Sequence, residues 1–204
     1  VMDTGIDYDH PDLGGCFGEG CRVAMGWDFV GDDYNADSSS PSYNPIPSPD
    51  DDPDDCQGHG THVSGIVGAN GVVTGVAPNV TFGAYRVFGC EGSTEADIMI
   101  AAMEMALADG MDILNMSIGS SFQWPQYPTA QASDRMVNKG MVVVASIGNS
   151  GASGPYAAGA PGVGKKVIGV ASFDNSHVFL PYFEVDDQQI GYRPMTFAGP
   201  TPTS

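Results

Sequence analysis

The order of its apolar segments constrains this chain most. Continuous runs at Val23–Val30, Val80–Phe88, Asp112–Ile118, Met141–Ile147 and Val167–Ser172 are rich in Val, Ile and Met and bounded by Gly or Asn. Runs this short, without polar alternation, predict strands buried on both faces. Three intervening segments have a helical period instead. Thr61–Ala69 follows a Gly-His-Gly turn. Thr94–Asp109 sets Ile98, Met99, Ala102, Met103, Met105 and Ala106 at helical spacing, with Ser93 or Thr94 as the cap and Gly110 as the stop, and Thr129–Lys139 ends at Gly140. Strands alternating with helices imply right-handed crossovers and therefore an α/β domain, a mainly parallel sheet flanked by helices. Ligands of such sheets sit beyond the carboxyl ends of the strands, so the strand-to-loop junctions are where chemistry is expected.

Charge narrows the partners. The sequence has 25 acidic against 7 basic side chains, a formal charge of −18. A surface this acidic does not attract phosphate backbones or anionic membranes, which excludes nucleic acid and membrane as partners. No apolar stretch approaches the ~20 residues of a membrane span. The excess is local, because residues 1–55 hold 14 acids and one base, Arg22. Within them, Gly31–Asp55 carries Asp32, Asp33, Asp37, a Ser38–Ser40 run, five prolines and the stretch Asp50-Asp-Asp-Pro-Asp-Asp55. Such a segment predicts a surface loop, read either as solvated charge or as a structural calcium site. The cysteines favour a secreted protein with Cys16–Cys21 and Cys56–Cys90 bridges, although four cysteines allow three pairings.

Three junctions hold candidate chemistry. Asp3-Thr4-Gly5 places a carboxylate at a strand terminus, where it can accept an imidazole N–H and fix the tautomer; the same residue is also an ordinary turn cap. Gly58-His59-Gly60-Thr61-His62 puts glycines on both sides of a histidine at a helix start, as an accessible general base requires. His62 is expected to make structural hydrogen bonds. A zinc site from His59, His62 and Cys56 is the rival reading, although the spacing is not that of His-Glu-x-x-His. Asn149, in Ala145-Ser-Ile-Gly-Asn-Ser-Gly151, is placed to donate to a developing oxyanion or simply to cap a turn. Asn115-Met-Ser-Ile-Gly119 ends another strand in small residues whose backbone can pair with an extended peptide.

Taken in order, these segments resemble the subtilisin-like serine proteases. Val-Met-Asp3-Thr-Gly-Ile-Asp is similar to the family's aspartate motif and Gly-His59-Gly-Thr-His-Val-Ser-Gly-Ile-Val-Gly to its histidine motif, followed by the usual Gly-Val-Ala-Pro78. Asp112-Ile-Leu-Asn-Met-Ser-Ile-Gly119 resembles the substrate-binding strand and Ile-Gly-Asn149-Ser-Gly the oxyanion asparagine. The resemblance runs from residue 1 to about residue 175. It implies a subtilisin-like fold, with Asp3 orienting the imidazole, His59 as base and Asn149 as oxyanion donor. It also implies that Ser117, Ile118 and Gly119 form one side of the primary specificity pocket and Ser146, Ile147 and Gly148 the other, with Gly92 and Ser93 pairing against the substrate backbone. The implied partner is a polypeptide substrate, with a propeptide inhibitor also admitted. No cofactor is needed for the chemistry.

One part of the pattern is missing. The family's Gly-Thr-Ser-x-Ala motif occurs nowhere in the sequence, and Ser64, Ser117, Ser146 and Ser150 stand in other motifs. Residues 1–175 are therefore expected to be part of a catalytic domain, inactive as it stands, with apolar surface that further elements would cover. Residues 176–204, ending in a Pro/Thr tail, are expected to lead to a protease-associated insertion or a cut end, with a longer surface hairpin as the alternative. Asn70-Gly-Val-Val-Thr is too short for the calcium loop that many bacterial members carry there. Asn79-Val-Thr81 is an N-glycosylation pattern, and Asn115-Met-Ser117 matches it inside a strand. Two other function classes stay open: a noncatalytic subtilase-like scaffold that binds peptides or partners, and an acidic calcium-dependent structural protein.

Overall fold

The computed structural model describes residues 1–173, 176, 177 and 180–192. It comprises two units, Val1–Ala171 and Ser172–Ser204. The Pro/Thr tail from residue 193 onward lies outside the described residues.

The first unit is an α/β domain. Its elements run β1 (Met2–Asp3), β2 (Val23–Asp28), α1 (His59–Gly68), β3 (Phe82–Arg86), α2 (Ala96–Ala108), β4 (Ile113–Met116), α3 (Pro128–Asn138), β5 (Val142–Ser146) and β6 (Ile168–Val170). The strands form two parallel sheets in the orders β1-β3-β2 and β4-β5-β6, and β1 also packs beside β4. Register is set by pairs such as Asp3 with Arg86 and Met116 with Ala145, so the strand ends that carry the candidate residues point one way.

Burial explains both the fit and the misfit with expectation. β3 is buried along its whole length. On β4 and β5, by contrast, burial alternates: Leu114, Met116, Val143 and Ala145 pack into a core with Met99, Ala102 and Met103 of α2 and Ala132 and Met136 of α3. Their neighbours Ile113 and Val142 are exposed, as are Ile168 and Val170 of β6. The expectation of burial on both faces therefore fails for β4 and β5, which pack one face against α2 and α3, and for β6, which is exposed along its length. α2 also starts differently from expectation: Glu95 is its N-cap and no side chain caps it, so neither Ser93 nor Thr94 serves. No helix among the described residues is long and apolar enough to cross a membrane.

The second unit contains a hairpin, β7 (Tyr182–Val185) antiparallel to β8 (Gln188–Gly191). Asp186 and Asp187 both take positive φ, 50° and 63°, the backbone twist that a two-residue hairpin loop requires.

Both expected disulfides are present, Cys16–Cys21 and Cys56–Cys90. Beside the second lies the answer to the local charge excess. Arg86, at the end of β3 and 3% exposed, sets Nη1 3.1 Å from Asp28 Oδ2 and Nη2 2.8 Å from Asp32 Oδ1. It also donates to the carbonyls of Asp54 (3.1 Å) and Phe88 (3.0 Å), tying the acidic loop to the sheet. Burial pushes the Asp28 carboxyl up, opposed by the Gly31 and Val30 amides and then by Arg86. Among the described residues Arg22 pairs with no acid; its guanidinium donates to the carbonyls of Asp12, Val80, Pro78 and Gly68, the last at the carboxyl end of α1.

Asp55 anchors the start of α1. Its carboxylate accepts the amides of Gln57 (2.9 Å), Gly58 (2.8 Å) and Thr61 (2.9 Å) and the Thr61 hydroxyl (2.6 Å). These are donors that a helix N-terminus leaves without intrahelical partners, and a negative charge there also suits the helix dipole. Burial alone would raise the Asp55 pKa, but the Gly58, Thr61 and Gln57 donors outweigh it and hold the carboxyl below its ordinary value.

Two stability measurements follow from these contacts. Arg86→Met leaves Asp28 buried without its cation and is expected to cost about 3–5 kcal/mol in denaturant unfolding. Asp32→Asn touches a side chain that is 71% exposed and should cost about 1 kcal/mol or less; equal losses would show that the buried pair has no special weight. Asp55→Asn should cost about 1–2 kcal/mol. Because the folded pKa of Asp55 is depressed, its contribution is fully present above the ordinary aspartate pKa and is lost as pH falls through the folded value. The gap between wild type and Asp55→Asn should accordingly close in acid, and a pH-independent gap would contradict this assignment.

Candidate active site

Three separate segments meet at one point. β1 delivers Asp3, whose carbonyl accepts the Val87 amide at 2.9 Å across the β1–β3 pairing. α1 begins at His59, with Gly58 as its N-cap at φ +102°. The loop residues 53–55 pass alongside. They fit because glycine occupies the contacts: a Cβ on Gly60 would lie 2.1 Å from the Gly5 carbonyl oxygen and 3.1 Å from Asp3 Cβ. A Cβ on Gly5, itself at φ +111°, would lie 2.7 Å from the carbonyl oxygens of both Pro53 and Asp54.

This contact sets His59 Nδ1 2.5 Å from Asp3 Oδ1. The two side chains differ in exposure, 47% for His59 and 0% for Asp3. The imidazole is thus open on its far side while its partner is sealed. Asp3 Oδ1 also accepts the Thr4 amide at 2.9 Å. Asp3 Oδ2 is buried and accepts no hydrogen bond among the described residues. Burial pushes the Asp3 carboxyl above its ordinary pKa, with the His59 and Thr4 hydrogen bonds pulling against it and the Asp55 charge adding to the rise. A carboxylate accepting from Nδ1 fixes the tautomer that leaves Nε2 free as a base.

A cleft of about 350 Å³ opens from this pair. It is lined by Asp3 and His59, by Gly92, by Ser117, Ile118 and Gly119 after β4, and by Ser146, Gly148 and Asn149 at the end of β5. Gly148, at φ +97°, turns the chain there. A hydrogen bond between Ser121 Oγ and Ser150 Oγ, 2.9 Å, joins the two loops. No lysine or arginine lines the cleft.

Two predicted residues stand outside it. Ile147 lines a neighbouring hollow with Gly148 and Pro155. Ser93 lines an adjoining cleft with Thr94, Gly119 and Tyr127. The Ser93 amide already donates to Asn35 Oδ1 (3.3 Å) and its carbonyl accepts from the Ala36 amide (3.0 Å), so these backbone groups are engaged within the chain instead of standing free to pair with a peptide. His62 is exposed and its ring makes no hydrogen bond among the described residues, contrary to the structural role expected of it; it faces an apolar hollow with Ile66, Val73 and Val76. Cys56, bound in a disulfide, is removed as a zinc ligand.

Ser64, Ser117, Ser146 and Ser150 make no hydrogen bond to His59 among the described residues. Ser64 is fully buried with an unpartnered hydroxyl, and Ser117 Oγ accepts from Asn115 Nδ2 at 3.2 Å. Among the described residues no serine hydroxyl bonds to His59. The residues that sequence reasoning missed are those that hold the pair: Thr4, Asp55 and Gln57, whose Oε1 accepts the His59 amide at 2.9 Å. The signal for Asp55 was an acid shortly before a helix start, obscured because it closes a run of aspartates.

The model of the subtilase family matches residues 1–196. The chain is 41% identical over 173 residues to the minor extracellular protease Vpr of Bacillus subtilis, covering 84% of this chain and 20% of that protein. It is 36% identical over 183 residues to subtilisin DY of Bacillus licheniformis, covering 86% and 56% respectively. The chain thus spans between a fifth and just over half of these relatives. Among solved structures, sphericase matches with a TM-score of 0.61 at 30% identity, over 87% of this chain and 54% of its own. The epidermin leader peptide processing serine protease of Staphylococcus aureus matches at 0.64 and 26%, over 84% and 45%. With the family model matched along almost its whole length, and with a parallel α/β fold like that of sphericase, this chain belongs to the subtilase family.

Proposed function

We propose that this chain is the part of a secreted subtilisin-like serine endopeptidase that carries the general base, its orienting carboxylate and an oxyanion donor. The observation that carries this reading is the 2.5 Å contact between buried Asp3 and open His59, facing Asn149 across one cleft. The nucleophile is proposed to come from coding sequence beyond residue 204, since the Gly-Thr-Ser-x-Ala motif is absent here. Secretion, a glycan on exposed Asn79 and a protease-associated insertion after about residue 175 belong to the same proposal.

The chemistry follows from the positions. His59 Nε2 would take the serine proton as the serine oxygen bonds to the scissile carbonyl carbon, the carbonyl electron pair moving onto oxygen. The Asn149 amide would donate to that oxyanion, a contact stronger in the transition state than in the bound substrate. Collapse of the tetrahedral species would break the C–N bond as imidazolium passes its proton to the leaving amine, and water would then repeat the sequence at the acyl-enzyme. Asp3 would hold the tautomer and stabilise the imidazolium without itself accepting the proton. Ser117, Gly119, Ser146 and Gly148 leave room for a substrate side chain, and with no lysine or arginine among the described lining residues there is no reason to prefer acidic ones.

The test uses two proteins. The chain 1–204, given a denatured protein and a chromogenic peptide, should match the buffer blank, since loss of the serine alone lowers subtilisin turnover about a million-fold. The product of the intact coding sequence should react with a fluorophosphonate, and His59→Ala should abolish the labelling. Asp3→Asn in that product should lower kcat on the order of 10⁴-fold. Inhibitor-sensitive turnover by 1–204 would refute the need for a downstream nucleophile, whereas an intact product that never labels would favour the noncatalytic scaffold.

A further inference from the structure

The Asp3–His59 contact joins residues that stand 56 apart in sequence, and neither side chain can hold the other in place alone. His59 is the first residue of α1, so its ring goes wherever the first turn of that helix goes. Asp3 sits at the last position of β1, so its carboxylate follows the turn Thr4-Gly5. The two segments are joined by one carboxylate, that of Asp55, which hydrogen-bonds to neither of the paired side chains. Asp55 Oδ1 accepts the Thr4 hydroxyl at 2.9 Å together with the Gln57 and Gly58 amides, and Oδ2 accepts both the amide and the hydroxyl of Thr61. The Thr4 oxygen in turn accepts the Gly60 amide at 2.8 Å, and the Thr61 oxygen accepts the Asp7 amide at 2.9 Å.

We propose that Asp55 is a positioning residue for the Asp3–His59 pair, setting their separation by clamping the turn after Asp3 and the helix turn that carries His59 to the same carboxylate. The proposal rests on reading Asp3 and His59 as the catalytic pair. Asp55 has hydrogen bonds on both sides of His59, at Gly58 and Thr61, and reaches the Asp3 side through Thr4. Amide-only capping would fix the helix; the Thr4 hydroxyl makes the same carboxylate fix the helix against the strand. Misplacement on the order of 1 Å at such a pair is enough to lose most of its catalytic value.

The low-field proton resonance of His59 Nδ1–H reads this geometry directly, because that proton is protected only while its bond to Asp3 is held. In chain 1–204 the resonance is expected in wild type and lost in Asp3→Asn. Asp55→Ala, at a temperature where circular dichroism still shows the folded state, should lose it by exchange broadening. Thr4→Val should weaken it and Thr4→Ser, which keeps the hydroxyl, should restore it. A folded Asp55→Ala protein with an unchanged resonance would overturn the role of Asp55 while leaving the pair intact. Should Asp55→Ala not fold, Thr4→Val decides, and an unchanged resonance there has the same consequence. A wild-type protein without the resonance would instead sink the pairing of Asp3 with His59, and the role of Asp55 with it.

Discussion

The structure depends on how closely the first turn of α1 rests on the turn that follows β1. At Gly60 there is no room for a Cβ between the helix and the Gly5 carbonyl, and at Gly5 none between the strand turn and the loop at Pro53 and Asp54. The turn after β1 is stacked at backbone contact distance against two pieces of a much later stretch of chain, the loop at Pro53 and Asp54 and the start of α1. Glycine at both points is a steric requirement, and at Gly5 the positive φ adds a conformational one. From this approach come the reach of His59 Nδ1 to Asp3, the Thr4 hydroxyl bond to the Gly60 amide, and the position of Asp55 between them. A wider separation would leave each of these groups seeking water.

The same packing explains where the acidity goes. A segment with 14 acids and one base cannot lie against a sheet unless some of its carboxylates are answered locally. Arg86 answers two of them from β3 and donates to two loop carbonyls besides, while Asp55 and Asp37 answer theirs with amide and hydroxyl donors from their own neighbourhood. Arg22, inside the acidic segment, is used on carbonyls. Proximity in sequence was therefore a poor guide to charge pairing here. The charge balance of the loop depends on a base that lies some thirty residues beyond it.

Much of the fold was legible because its punctuation is chemical. Gly110 and Gly140, both at positive φ, follow α2 and α3 closely, and each apolar run contains the strand expected of it within a few residues. The meeting of Asp3 and Asn149 at one cleft followed from strand-end positions, since parallel strands deliver their carboxyl ends to one side, and the glycine-flanked helix start brings His59 to the same cleft. What could not be read was whatever depends on the partner across space. The runs at β4, β5 and β6 look the same in sequence as fully buried β3, and only the placement of α2 and α3 shows that β4 and β5 have one face covered while β6 is exposed. The pairing of Ser93 with substrate was implied by the resemblance alone, and its neighbour in space, Asn35, lies in a loop with no periodic signal to show that the amide is already engaged. Asp55 was read as one acid among several because hydrogen-bond convergence has no trace in composition.

Burial of Asp3 gains meaning when the pair is considered in its two charge states. With neutral imidazole, a carboxylate at 0% exposure and with one oxygen unpartnered is poorly solvated, which is why its pKa lies above the ordinary value. Such a site is costly at rest: Asp28, equally buried, is answered by amides and by Arg86, whereas Asp3 keeps one oxygen without a partner among the described residues. Once a proton is added at Nε2, the ring becomes a cation whose Nδ1 already lies 2.5 Å from that carboxylate, in surroundings of low dielectric where the attraction is larger than in water. The unsolvated charge is then compensated without any group having to move. The exposure of His59 on its other side completes the asymmetry, because the ring is open towards the cleft while the carboxylate stays sealed behind it. In the mechanism proposed above, that carboxylate would stabilise the imidazolium without any rearrangement of its own, which is the part an orienting acid would play for a general base.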